Sequence, residues 1–318
     1  MKPADALTLV ILAVLWGSSF LFIRVAVPSF GPVALVAARV ALGAALLWVY
    51  AVVVRRPLNM RPYAARLVVL AALNAALPYV LISAAELRIT ASFAAILTAT
   101  VPFFATLFGM LWLRERLSVA RVIGLILGVV GVGIMVGWSP LPVTAATMIS
   151  IAAMLGSSAS YAGAGVYARL RLSNVPAHTL ALGQQLGALV WLALPVTFLT
   201  PREMPPREAI GAVLALGVFS TAVAYLLYFR LLERIGPTRT STVTFLLPVF
   251  GVLLGALFLG EPVTAGMVAG FAIVAIGVTL VTRSHPRGTA PALTGGIRGV
   301  RDRLLRRVNK EYVRRRHA

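Results

Sequence analysis

The 318-residue sequence has no cysteine. That excludes a disulfide framework, a thiolate nucleophile and a thiolate-built metal site. Charge is also scarce. Only 12% of the residues are Asp, Glu, Lys or Arg, against about 25% in soluble domains. Acidic residues are the rarest, nine in all, and none stands in the middle of a long apolar run. The three histidines, His178, His285 and His317, are scattered. No HExxH, no GxSxG and no paired acids occur. An enzyme of the membrane interior needs such a cluster. The sequence therefore reads as non-enzymatic, with no catalytic residue, no metal and no cofactor. With no carboxylate expected in mid-membrane, a simple proton relay is also disfavoured.

What is abundant is apolar surface. Hydrophobic residues make up 60% of the chain, and the mean hydropathy is +0.93. A chain this apolar cannot cover itself with polar groups in water, so its solvent is lipid. A span needs about 20 mostly apolar residues. Ten such stretches can be placed, at about Ala6–Val27, Pro32–Val54, Ala65–Ala85, Ala91–Leu113, Val119–Trp138, Ala145–Tyr167, Ala177–Leu199, Ala209–Leu231, Thr238–Leu259 and Val263–Thr282. The loops between them are short and contain Pro or Gly. The start of the chain has no small-residue cleavage site and reads as a first membrane helix, not a removed signal peptide.

The stretch Thr100–Glu115, TVPFFATLFGMLWLRE, is rewritten at Leu246–Glu261, LLPVFGVLLGALFLGE. Pro102/Pro248, Phe104/Phe250, Gly109/Gly255 and Glu115/Glu261 pair at one spacing of 146. The match runs without gaps from Tyr79–Val136 onto Tyr225–Thr282 and includes Tyr79/Tyr225, Thr98/Thr244, Gly124/Gly270 and Gly131/Gly277. A fixed offset of this kind sets the architecture. The expected domains are a five-helix repeat over 6–138, a second over 145–282, and a basic tail over 283–318.

Lys and Arg mark the cytoplasmic side. With the N-terminus inside, the inner segments hold 24 of the 29 basic residues and the outer loops only Arg88, Arg202 and Arg207. Both termini are then cytoplasmic. Five spans is an odd number, so the halves cross in opposite directions. The expected fold class is all-α, a polytopic bundle of two inverted five-helix repeats, the construction of many secondary transporters.

The net charge of +20 suggests nucleic acid, but its placement does not, because it follows membrane topology. The tail Arg283–Ala318 carries eleven basic and two acidic residues. Ile297, Val300, Leu304, Val308 and Tyr312 fall on one helical face. That suits an amphipathic helix on anionic lipid. A disordered polybasic tail is the other reading. No nucleic-acid partner is expected, and the oligomeric state is open.

The polar residues inside spans are mostly hydroxyls, amides and aromatics, which suit a neutral or zwitterionic, partly apolar solute. In membrane helices Ser and Thr also commonly bond their own backbone or a neighbouring helix. Pro102 and Pro248 each remove a backbone hydrogen bond near mid-membrane and read as hinges. Gly124, Gly128 and Gly131 read as close helix packing. Arg24 and Arg39 fall toward the outer ends of their spans, Glu261 closes the outer end of the ninth, and Glu115 the inner end of the fourth. This predicts two latches: Glu261 with Arg24 or Arg39 outside, and Glu115 with Arg169 inside. The bland alternatives are that Glu115 bonds Arg114 and Arg116 and that the arginines reach headgroups.

WGSSFLFIR at Trp16–Arg24, the arginine at 39, and the twice-written P…G…L-x-E before a Gly-rich helix resemble the EamA-type transporters of the drug/metabolite transporter superfamily. The resemblance covers about Leu7 to Val281 and is specific to the superfamily, not to a substrate. It implies a ten-helix inner-membrane carrier, often an exporter of amino acids, metabolites or drugs. Its cavity would be lined by Trp16, Ser19, Asn74, Tyr79, Thr98, Thr100, Tyr161, Tyr225, Thr242 and Thr244. The sequence departs from the family pattern where Tyr161 replaces a more usual tryptophan, and in its basic tail. The expected function is a secondary carrier exporting a small amino-acid-like or drug-like metabolite by alternating access. A lipid-type flippase or a non-transporting membrane partner is the alternative.

Overall fold

The computed structural model describes residues 2–55, 58–113, 118–138, 144–201 and 203–283. Among these every regular element is helical. In chain order they are α1 (Pro3–Val53), α2 (Ala64–Ala71), α3 (Leu77–Ala85), α4 (Ala91–Leu97), α5 (Val101–Leu113), α6 (Val119–Gly137), α7 (Ala145–Arg171), α8 (Ala177–Phe198), α9 (Arg207–Gly217), α10 (Ala224–Ile235), α11 (Pro237–Thr240), α12 (Val243–Leu259) and α13 (Ala265–Arg283). Among the described residues eight helical stretches are long and apolar enough to cross a membrane. The basic tail and its expected amphipathic helix lie outside the described residues.

Two departures from regular helix matter. The first is inside α1. Pro28 and Pro32 flank Gly31, which takes φ +69° and ψ 162°, a conformation glycine reaches without a Cβ penalty. The PSFGP segment thus breaks α1 into two arms where a loop is expected. The second departure occurs twice. Ala72–Ala76 and Val218–Val223 each form a π-helical turn. They lie at the same offset of 146 and lead into Tyr79 and Tyr225. A π turn widens the helix and turns the following side chains toward a new neighbour.

Polar contacts join the halves at these turns. Arg39, on the second arm of α1, donates through Nε to Thr221 Oγ1 at 3.0 Å. Asn74 Nδ2 donates to Gln184 Oε1 on α8 at 2.7 Å. Arg39 and Gln184 match in the two halves at an offset of 145, and both meet a π turn of the other half. This is one contact made twice. Trp48, Trp112 and Trp138 stand exposed near helix ends, where indole rings suit the membrane interface.

α6 and α13 pack through glycine. A β-carbon on Gly124 would lie 2.6 Å from the Gly277 carbonyl oxygen, one on Gly131 2.8 Å from the Gly270 carbonyl, and one on Gly277 2.7 Å from the Gly124 carbonyl. Helices in lipid gain little from hydrophobic burial against each other, so this close approach carries dispersion contact instead. Overpacking of such a seam typically costs about 1–3 kcal/mol. Gly131→Leu is therefore expected to lower the thermal unfolding midpoint in detergent. Gly133→Leu, on the same helix with open space beside it, is expected to leave it unchanged.

Candidate functional site

The repeated tyrosines meet. Tyr79 and Tyr225 place their hydroxyls 3.4 Å apart. Tyr79 packs edge-on to Tyr161 with ring centres 6.5 Å apart. Tyr225 packs edge-on to Trp16 at 6.3 Å and stacks on Phe229 at 5.9 Å. Trp16 also touches Tyr228 at 5.4 Å. Of the expected lining residues, Trp16, Tyr79, Tyr161 and Tyr225 thus form one aromatic cluster drawn from four helices, α1, α3, α7 and α10.

Arg39 completes this cluster. Its guanidinium carbon sits 4.1 Å from the centre of the Tyr79 ring, a distance at which the ring face attracts a cation. The residue is 4% exposed. Among the described residues, its one hydrogen bond is the Nε bond to Thr221. The four N–H groups on its two outer nitrogens are therefore left for something else. Thr221 in turn donates to the Leu216 carbonyl at 2.9 Å, which satisfies an acceptor beside the π turn and fixes the oxygen that faces Arg39.

The expected threonines divide. Thr98 and Thr244 line a cavity of about 300 Å³ with Pro102, Pro248 and, from α13, Phe271 and Thr279. Both threonines bond the carbonyl three residues back: Thr98 to Ala95 at 2.6 Å and Thr244 to Ser241 at 2.8 Å. A 3-10 turn over Thr98–Thr100 precedes Pro102, so the proline lies in the first turn of α5, where its missing N–H costs little. Pro248 lies inside α12. Thr100 and Thr242 spend their hydroxyls on the carbonyls of Leu97 and Arg239 at 2.7 Å each. Ser19 is buried on α1.

The charged residues are partnered differently from expectation. Glu261 accepts from Ala91 N and Ser92 N at 2.8 Å each and from Ser92 Oγ at 2.6 Å. It closes the N-terminus of α4, where free amides and the helix dipole favour an anion. Arg24 donates to the backbone carbonyl of Glu86. In this conformation, among the described residues, Glu261 pairs with neither Arg24 nor Arg39. The amides of α4 already surround its carboxylate. Arg169 is exposed near the end of α7. Glu115, and with it the expected inner latch, lies outside the described residues.

Glu86 is the acidic group the sequence reading passed over. It follows α3 and is fully buried. Neither of its carboxylate oxygens has a hydrogen-bond partner among the described residues. Burial pushes its carboxyl well above the usual carboxylate range, and Glu261 adds to this, while Arg24 and Arg39 oppose it. A signal existed. Glu86 aligns with Leu232 in the second half, so it is a charge the duplication does not share.

Comparison with known proteins fits this geometry. The EamA-like transporter family model matches residues 5–137 and 148–283. The chain belongs to the EamA-like transporter family. The family and the relatives below are transporters, so the chain is a multi-span membrane protein of a transporting, not an enzymatic, lineage. It is 26% identical over 300 residues to the transporter YvbV of Bacillus subtilis, covering 92% of this chain and 96% of that one. It is 24% identical to a probable terminal-alkyne amino-acid exporter of Streptantibioticus cattleyicolor, covering 89% and 95%. It is 26% identical to an S-adenosylmethionine/S-adenosylhomocysteine transporter of Chlamydia trachomatis, covering 85% and 86%. A crystal structure with 19% identity superposes at a TM-score of 0.61 over 89% of this chain and 98% of its own, a likeness of fold.

Two backbone amides and one hydroxyl donate to the Glu261 carboxylate and tie the end of α12 to the start of α4. Hydrogen bonds to charged groups contribute about 1.5–3 kcal/mol each. Glu261→Gln is expected to lower the thermal midpoint in detergent by the equivalent of about 2 kcal/mol. Ser92→Ala, which removes one of the three bonds, should cost less.

Proposed function

We propose that this chain is a secondary carrier that moves a small zwitterionic, amino-acid-like or drug-like metabolite outward by alternating access. One observation carries the reading: the repeated segment is buried at one end of the bundle and open at the other. All seven residues of Ala91–Leu97 are buried. In the matching segment of the second half, Arg239, Ser241 and Thr242 are exposed, while Thr240 and Val243 are buried. Thr98 is half-buried and Thr244 exposed. The two segments hold equivalent places in the duplication without sharing a residue, ASFAAIL against PTRTSTV, and equivalent segments in different environments are what a carrier with one end shut would present. Exchange of the two environments would open the other end.

The architecture behind this reading is two inverted five-helix repeats, about 6–138 and 145–282. The break at Gly31 divides α1 into two spans, and the short apolar helix Val243–Leu259 supplies another, which brings the count to ten. Contacts sort into two faces in agreement with that count. Asp5 and Arg234 form an ion pair at 2.9 Å at one face. Arg24, Glu86, Ala91 and Glu261 lie together at the other. The arginine distribution supports a cytoplasmic first face, and the bacterial transporters among the relatives support a bacterial inner membrane. Pro102 and Pro248 remain the proposed hinges. Arg24 and Glu261 remain gate residues, and Arg169 and Glu115 belong to the opposite gate.

Within the site, Arg39 is proposed to take the solute's carboxylate. Its planar fork suits a carboxylate in bidentate fashion. An ionisable residue in the membrane interior is a functional-site candidate by default. Trp16, Tyr225, Tyr228 and Phe229 would receive the rest of the solute. The amino-acid exporter and the S-adenosylmethionine transporter among the relatives support a small-molecule cargo of this kind.

Counterflow in proteoliposomes tests the reading, with a mixture of labelled amino acids as probe. Saturable exchange is expected in the parent protein, to fall at least tenfold in Arg39→Gln and Trp16→Ala, and to persist in Thr100→Val, whose hydroxyl is committed to its own helix. Absence of exchange in folded, reconstituted protein would remove the amino-acid-like carrier reading.

A further inference from the structure

Glu86 is not used by the site proposed above, yet its surroundings are the most demanding in the described chain. The groups that face it come from three directions. Arg24, on the first arm of α1, binds the backbone carbonyl of Glu86 itself. Arg39, on the second arm, bonds Thr221 through Nε and lies over the Tyr79 ring. Glu261, after α12, is held by the amides at the start of α4. The carboxyl of Glu86 lies among these charges with no hydrogen-bond partner among the described residues.

An ionised carboxylate here would lack the hydrogen bonds that repay its desolvation, a cost of several kcal/mol. It would also face the negative charge of Glu261. The two arginines reduce this cost, but neither bonds the carboxyl. The neutral acid is the form that suits the dry space. That space is dry only while this end is shut. Ser83 and Ile89, three residues to either side of it in the chain, and Ser92, which bonds Glu261, are all fully buried. If α4 and the segment after α12 part, water reaches the carboxyl.

We propose that Glu86 is a proton-binding site that gates this end of the bundle, protonated when the end is closed and ionised when it is open. On opening, the carboxyl O–H breaks and the proton passes to water. The carboxylate left behind is hydrated and free to pair with Arg24. On closure the proton is taken back from the same side. Burial raises the affinity of the closed form for its proton above that of the open form. Below the ordinary carboxylate range both forms hold the proton and closure has no added cost. As pH rises from that range toward the raised value, only the closed form must hold the proton. Closure therefore weakens with rising pH, as linkage requires. The gate rests on the carrier reading only for its place in a transport cycle; the protonation itself does not.

The absence of cysteine makes a single introduced thiol a unique reporter. Ile89→Cys, placed in lipid nanodiscs with both faces accessible, is labelled with a polar maleimide across a pH series. Glu86→Gln is added as the second variant, and it corrects for the thiol's own ionisation. At low pH the two proteins are expected to label equally slowly. At high pH the protein that retains Glu86 is expected to label at least tenfold faster. Identical pH profiles would overturn the gate. Infrared pH-difference spectra give a second reading without the introduced thiol. The parent and Glu261→Gln should show a protonated, weakly hydrogen-bonded carboxyl at neutral pH, and Glu86→Gln should not. A parent spectrum without that band at neutral pH would overturn the proposal. Neither readout uses a solute, so failure of counterflow and failure of the gate are separate results.

Discussion

Hydrocarbon offers no hydrogen bonds, and every polar group carried into it must find a partner within the protein. In this chain most hydroxyls bond a carbonyl of their own helix, and the polar contacts between helices are largely exchanged between the two halves. Arg39 of the first half meets the π turn of the second, and Gln184 of the second half meets the π turn of the first. Glu261 of the second half closes a helix of the first. Each half leaves some of its polar groups to be satisfied by the other, which ties the two together.

The size of these ties matters as much as their placement. Side-chain hydrogen bonds between membrane helices average about 0.6 kcal/mol, with a maximum of about 1.7. A few such contacts hold a conformation without locking it. The glycine seam between α6 and α13 is different in kind, because close backbone contact cannot be exchanged for another partner. The bundle thus combines a fixed seam with ends whose polar contacts are weak enough to change. Among the described residues the outer nitrogens of Arg39 and the carboxyl of Glu86 are two of the groups without a protein hydrogen bond, and their chemistry suits the proposed ligands, an anion for one and a proton for the other.

The helical fold was legible because lipid demands long apolar runs, and the fixed offset of 146 made the duplication legible with it. Trp16, Tyr79, Tyr161 and Tyr225 were read as site residues, and they gather in one cluster. The π turns were not legible, since no residue pattern distinguishes a widened turn from a regular one. The sequence placed Arg24, Arg39 and Glu261 at one end, but spacing does not say which neighbour wins a charge. Two amides and a hydroxyl converge on Glu261, and no arginine competes with that geometry. Thr100 and Thr242 are expected lining residues because hydroxyls in membrane helices serve either role, and here their hydroxyls donate to the carbonyls of Leu97 and Arg239, three residues back. Glu86 was hidden by its position at a helix end, where acids are common. Its departure from the duplication was the one visible sign.

The central claim is that the two ends of the bundle open in turn, and paired distances test it most directly. In the cysteine-free chain, spin labels at Leu87 and Pro262 report the end closed by Glu261, and labels at Leu170 and Ser241 report the other. All four positions are exposed. Distances would be measured by pulsed electron resonance with and without a transported solute. The expected result is that a population appears in which the first distance lengthens while the second shortens. Two distances that stay fixed, or that move in the same sense, would contradict alternating access in this protein.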